Sequence, residues 1–130
     1  MSVLSQSTIA KKVSFSGVGI HTGNKVNMSV LPSTPNSGIV FKRTDLNQNN
    51  IVIPNFANVS DATLCTTVSN QFGIKVSTIE HLMAAFLGLG IDNAVVELDS
   101  QEVPILDGSA RDFVKILKDT GLKNSDVPIK

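Results

Sequence analysis

Glu80 and His81 set a carboxylate and an imidazole side by side within Ser77-Thr78-Ile79-Glu80-His81-Leu82-Met83-Ala84-Ala85. A carboxylate can serve as a general base and an imidazole as a metal ligand. The rest of the chain cannot complete a metal site. It holds one other histidine (His21), one cysteine (Cys65) and no His-x-x-x-His or Cys-x-x-Cys pair. Catalytic zinc takes three protein ligands and keeps one open position, so the sequence offers half of an active site.

Each of these residues also has a plainer explanation. Ser77-x-x-Glu80 has capping-box spacing, in which Glu80 at N3 satisfies the backbone N–H of the cap residue. His81 on a buried helix needs a partner, either a hydrogen bond or a metal. His81 with His21 and an acidic side chain has no spacing to recommend it as a zinc site. The glycines of Gly17-Val18-Gly19-Ile20-His21-Thr22-Gly23 either let backbone approach a ligand or mark tight turns. They are not a phosphate loop, which would end in Gly-Lys-Ser/Thr and lead into a helix. Cys65 is most simply a small buried hydrophobe, and no signature supports it as a nucleophile. Asp107-Gly108-Ser109 reads first as a turn and helix cap, and otherwise as a carboxylate aimed at a ligand.

The elements that must position these groups follow from periodicity. Val26, Met28 and Val30 alternate with Asn27 and Ser29 as a half-buried strand, and Val13, Phe15 and Val18 lie in another. Pro32–Gly38 and Asp45–Asn50 are loops by composition, with apolar runs at Ile39–Phe41, Ile51–Ile53, Leu64–Val68 and Ile74–Val76. A first helix is expected from Ser77 to about Leu87, with Gly88 and Gly90 as stop signals. Its apolar stripe is Ile79, Leu82, Met83 and Phe86, while Glu80, His81, Ala84 and Gly88 share a small opposite side. Ala94–Leu98 reads as a strand. A second helix is signalled by Ser109-Ala110-Arg111-Asp112, faces inward through Ala110, Phe113, Val114 and Leu117, and stops at Gly121. The expected fold class is α+β, a two-layer sandwich of a small, mainly antiparallel or mixed sheet against two helices. Residues 1–122 would form the domain, and 123–130 a linker or tail toward a missing second domain.

Composition bounds the function. The 130 residues are one domain's worth, 42% apolar and 17% charged, with zero formal net charge. Without a basic run to track phosphates, nucleic acid is not an expected partner. Neither a secretory signal nor a membrane-length apolar run is present, so the chain reads as cytoplasmic.

Several segments together are far more specific than any one. Gly17–Gly23, Arg43-Thr44-Asp45-Leu46, Leu64-Cys65-Thr66, Ser77–Ala85, Gly88-Leu89-Gly90-Ile91-Asp92-Asn93 and Pro104-Ile105-Leu106-Asp107-Gly108-Ser109-Ala110 occur in order. From about Thr8 to Leu122 the chain resembles the N-terminal half of UDP-3-O-acyl-N-acetylglucosamine deacetylases, zinc amidases of lipid A biosynthesis in Gram-negative bacteria.

The resemblance implies two similar α+β domains with the active site between them. His81 would be the Zn2+ ligand supplied by the first domain and Glu80 the general base. Leu64 and Cys65 match a segment lining the substrate passage, and His21 matches a histidine near the site with a supporting role. Asp107 and Ser109 would be structural. The family's other zinc ligands, at His-x-x-x-Asp spacing, its general acid and its nucleotide-contacting lysine belong to the second domain. This chain is therefore expected to be inactive alone. Its expected partners are UDP-3-O-acyl-N-acetylglucosamine and the missing C-terminal domain, in cis or in trans, with a weak homodimer through the exposed interdomain face as a further expectation. The alternatives are a stand-alone, non-catalytic binding or regulatory module, or one chain of a split enzyme.

Overall fold

The computed structural model describes residues 4–54, 59–61 and 66–129. In chain order its strands are β1 (Ser5–Ile9), β2 (Val13–Val18), β3 (Lys25–Leu31), β4 (Ile39–Arg43), β5 (Ile51–Val52), β6 (Val59–Asp61), β7 (Thr67–Ser69) and β8 (Lys75–Ser77). Helix α1 (Glu80–Leu89), β9 (Ala94–Leu98), α2 (Arg111–Thr120) and β10 (Leu122–Pro128) follow.

The period of two in β3 has the expected effect. Val26, Met28 and Val30 are buried while Lys25 and Asn27 are exposed. The main sheet is mixed, in the order β2-β3-β9-β4-β5. Strand β9 sits at its centre, antiparallel to β3 and parallel to β4. The register sets Val30, Val96 and Phe41 side by side, all three without solvent exposure. Lining up β-branched and aromatic side chains on one face is how a small sheet builds a core. A second, three-stranded sheet has the order β6-β7-β8.

Both helices bury one face. From α1 the buried residues are Leu82, Ala85 and Phe86, and from α2 Phe113 and Leu117. Phe113 meets Phe15 of β2 with ring centroids 5.4 Å apart at 56°, the tilted geometry aromatic pairs favour. Helices α1 and α2 neighbour each other, giving the α+β arrangement expected from sequence. Gly90 ends α1 in the left-handed region, at φ 75°, and its N–H reaches the Leu87 and Phe86 carbonyls. Among the described residues no helix is long and apolar enough to cross a membrane.

The last segment departs from expectation. Lys123–Pro128, read as part of a linker or tail, lies in β10 (Leu122–Pro128), which pairs antiparallel with β1 from Ile9↔Leu122 to Ser5↔Pro128. Its side chains are mostly exposed and carry no apolar alternation, so periodicity gives no strand signal. The pairing rests on backbone and on local polar contacts instead. Gln6 Nε2 donates to the Pro128 carbonyl at 2.9 Å, and Ser125 Oγ to the Gln6 carbonyl at 3.1 Å.

At the start of α2, Ser109 Oγ accepts from the Arg111 N–H at 3.2 Å and donates to Asp107 at 2.8 Å. Asp107 also accepts from the Ser109 N–H, so both residues take the structural role expected of them. Replacing Ser109 with Ala should cost about 1 kcal/mol, read as a lower urea midpoint at unchanged slope. An unchanged midpoint would mean that this hydroxyl does not cap the helix.

Candidate active site

Helix α1 does not begin at Ser77, and the capping box does not form. Ser77 ends β8, its N–H donating to the Gln101 carbonyl at 2.7 Å and its carbonyl accepting from Val103 at 3.1 Å. Thr78 then takes φ 60°, a left-handed conformation that a β-branched residue adopts only under strain. The chain turns there and the helix opens at Glu80. Freed from capping Ser77, the Glu80 carboxylate accepts the Thr66 N–H through Oε2 at 3.0 Å. The Thr66 carbonyl in turn accepts the Thr78 N–H at 2.9 Å. Glu80 is thus tied sideways to Thr66, the residue just before β7.

The helix is buried on one side only, which corrects the expectation of an enclosed His81. Glu80 and His81 are half-buried, Ala84 and Gly88 are exposed, and Leu87 is 84% exposed. A Cβ added at Gly88 would meet nothing within 4 Å. The small face predicted beside Glu80 and His81 therefore exists and is open. An imidazole placed there can be reached from outside and does not require an internal partner.

His21 lies in the turn after β2, exposed, and its backbone rather than its ring makes the described contacts. Its N–H reaches both carboxylate oxygens of Glu102, at 3.1 and 3.2 Å, and the Thr22 N–H reaches Oε1 at 2.9 Å. The Thr78 hydroxyl donates to Oε2 of the same carboxylate at 2.5 Å. Glu102 has no solvent exposure. Gly19 is the reason backbone can come this close, since a Cβ there would stand 2.2 Å from Glu102 Oε1. The glycine-rich segment thus wraps an internal anion. Sequence gave little sign of Glu102, whose only hint is a lone acid next to Val103-Pro104-Ile105, facing nothing obvious in the primary structure.

Burial pushes the Glu102 carboxyl up, but the Thr78 hydroxyl and the N–H groups of Thr22 and His21 outweigh it and hold the group below its usual 4.5. A carboxylate depressed on folding contributes stability above its unfolded value, and loses it as pH falls through the folded value. Urea unfolding of the wild type should therefore weaken between about pH 5 and pH 3, and Glu102→Gln should flatten that decline. Equal acid sensitivity in both proteins would show that Glu102 is not responsible.

The structure thus sets Glu80 and His81 together on an open helix face and ties the His21 loop to the turn that precedes them. Leu64 and Cys65 lie outside the described residues. Among those described, no three His, Cys, Asp or Glu side chains are grouped to hold a metal ion.

Residues 6–130 match the family described as LpxC, UDP-3-O-acyl N-acetylglycosamine deacetylase. Among curated proteins, a UDP-3-O-acyl-N-acetylglucosamine deacetylase of Shewanella baltica (strain OS155 / ATCC BAA-1091) is 50% identical over 125 residues. Its counterpart in Shewanella sp. (strain ANA-3) is 49% identical over the same length. Each alignment covers 96% of this chain and 41% of the relative, so the chain spans about two fifths of the relatives' length. With nearly all of its length matched by the family, the chain belongs to the UDP-3-O-acyl N-acetylglycosamine deacetylases.

Proposed function

We propose that this chain is the N-terminal part of a zinc-dependent deacetylase acting on UDP-3-O-acyl-N-acetylglucosamine, and that it supplies the general base and one metal ligand. The observation that carries the proposal is the pairing of Glu80 and His81 at the head of α1, on a face left open by Ala84 and Gly88. In this scheme His81 is the protein's first-domain ligand. Zinc, when bound, supplies electrophilic activation of the acetamide carbonyl and of the attacking water. Glu80, with one oxygen fixed by the Thr66 N–H, accepts the water's proton as the C–O bond forms. The C–N bond then breaks, acetate departs, and the amide nitrogen leaves as an amine on receiving a proton from a group outside this chain. The remaining ligands come from a second domain, in cis or in trans. A cytoplasmic setting suits a nucleotide-sugar substrate.

The test is a chimaera in which residues 6–130 replace the matching segment of the Shewanella baltica relative. The chimaera should bind zinc and release acetate from UDP-3-O-acyl-N-acetylglucosamine, whereas the chain alone should do neither with useful strength. A folded chimaera without hydrolysis would overturn the deacetylase assignment. Tight stoichiometric zinc and turnover in the chain alone would overturn the division of the site.

A further inference from the structure

We propose that Glu102 is a positioning residue for this site, holding the His21 loop and the turn before α1 in one fixed arrangement; the inference rests on the roles proposed above for Glu80 and His81. Removing a carboxylate from water is unfavourable unless donors replace its hydration, and an apolar side chain usually serves packing as well or better. The donors that hold Glu102 are not scattered. His21 N–H and Thr22 N–H come from the glycine-rich loop, and the Thr78 hydroxyl comes from the residue two before Glu80.

The connection continues to the proposed base. Thr78 donates its N–H to the Thr66 carbonyl, and Thr66 donates its own N–H to Glu80 Oε2. Glu102, Thr78, Thr66 and Glu80 thus form a continuous hydrogen-bonded path. Two features of the chain serve this path at a conformational cost. Gly19 vacates the space a Cβ would occupy against Glu102 Oε1, and Thr78 is kept at φ 60° with both its N–H and its hydroxyl engaged. Glu102 is enclosed, so it acts through its neighbours rather than on substrate.

The test uses Glu102→Gln and Glu102→Ala in the chimaera, with amide exchange measured by NMR in this chain. Glutamine keeps the shape but replaces one acceptor oxygen with an NH2 group, so it cannot accept from all the present donors. Glu102→Ala should lower kcat about 100-fold with a much smaller change in KM, and Glu102→Gln should recover part of the loss. Exchange should accelerate together at the amides of His21, Thr22 and Thr66. Activity falling only in proportion to the unfolded fraction would overturn the proposal by showing a purely structural role. Folded variants with full turnover would overturn it too. If the parent chimaera is inactive, the deacetylase assignment fails by itself. Exchange then still decides: joint acceleration supports Glu102 as the link between the segments, and unchanged protection at Thr66 overturns it.

Discussion

Replacing Glu80 with Gln in the assembled enzyme is expected to lower kcat by a factor of about 10² to 10⁴, the range spanned by general-base catalysis, with KM little changed. The substitution is selective because the glutamine carbonyl can still accept the Thr66 N–H that Glu80 receives at 3.0 Å. The start of α1 should therefore persist, and the thermal midpoint should stay close to that of the parent. What disappears is the basic oxygen proposed above to take the water's proton. An interaction made only as the transition state forms shows itself in kcat rather than in KM. Turnover within about threefold of the parent, with zinc still bound, would exclude Glu80 as the base on the same kinetic grounds. A collapse in stability instead would show that the carboxylate charge itself holds the helix head.

Gly19→Ala should destabilise the protein by about 3 kcal/mol, the upper end of ordinary overpacking. The added methyl would stand 2.2 Å from Glu102 Oε1, 2.7 Å from Thr22 Oγ1 and 2.9 Å from Glu102 Cδ. A flexible, exposed carboxylate would swing away, but Glu102 is enclosed and gripped from two segments. Relief therefore requires either the loop to back off or the carboxylate to surrender its donors. Gly23→Ala is the natural comparison. It has φ 70° but nothing within 4 Å of an added Cβ, so it should cost only the backbone strain, about 1 kcal/mol. Urea unfolding of both variants separates crowding from strain, and equal losses would refute the crowding argument.

Much of the architecture was legible because burial leaves a period in the residues. Val26, Met28 and Val30 announce β3, and Leu82 with Phe86 announce the inner face of α1. Strand β10 was not legible, since Leu122–Pro128 is held by backbone pairing and by Gln6 and Ser125, which leave no apolar rhythm. The start of α1 misled for a different reason. Ser77-x-x-Glu80 satisfies a local rule, but pairing of Ser77 with Gln101 and Val103 captures that serine for a strand, and tertiary contacts override local propensity. Glu80 and His81 were visible as a pair. Glu102 was not, because its partners His21, Thr22 and Thr78 are distant in sequence and two of them bind through backbone, whose identity no residue letter reveals.

The pairing of β1 with β10 bears on how the polypeptide is made. Strand β1 leaves the ribosome well before its hydrogen-bonding partner, which lies more than a hundred residues further along the chain, Ser5 pairing with Pro128. At ordinary elongation rates roughly ten seconds separate the two. During that interval Ile9, destined for the core without any exposure, and an unpaired strand edge have no native shelter. A nascent chain in this state is one that a ribosome-associated chaperone would be expected to hold. This pairing closes only when β10 emerges to meet β1.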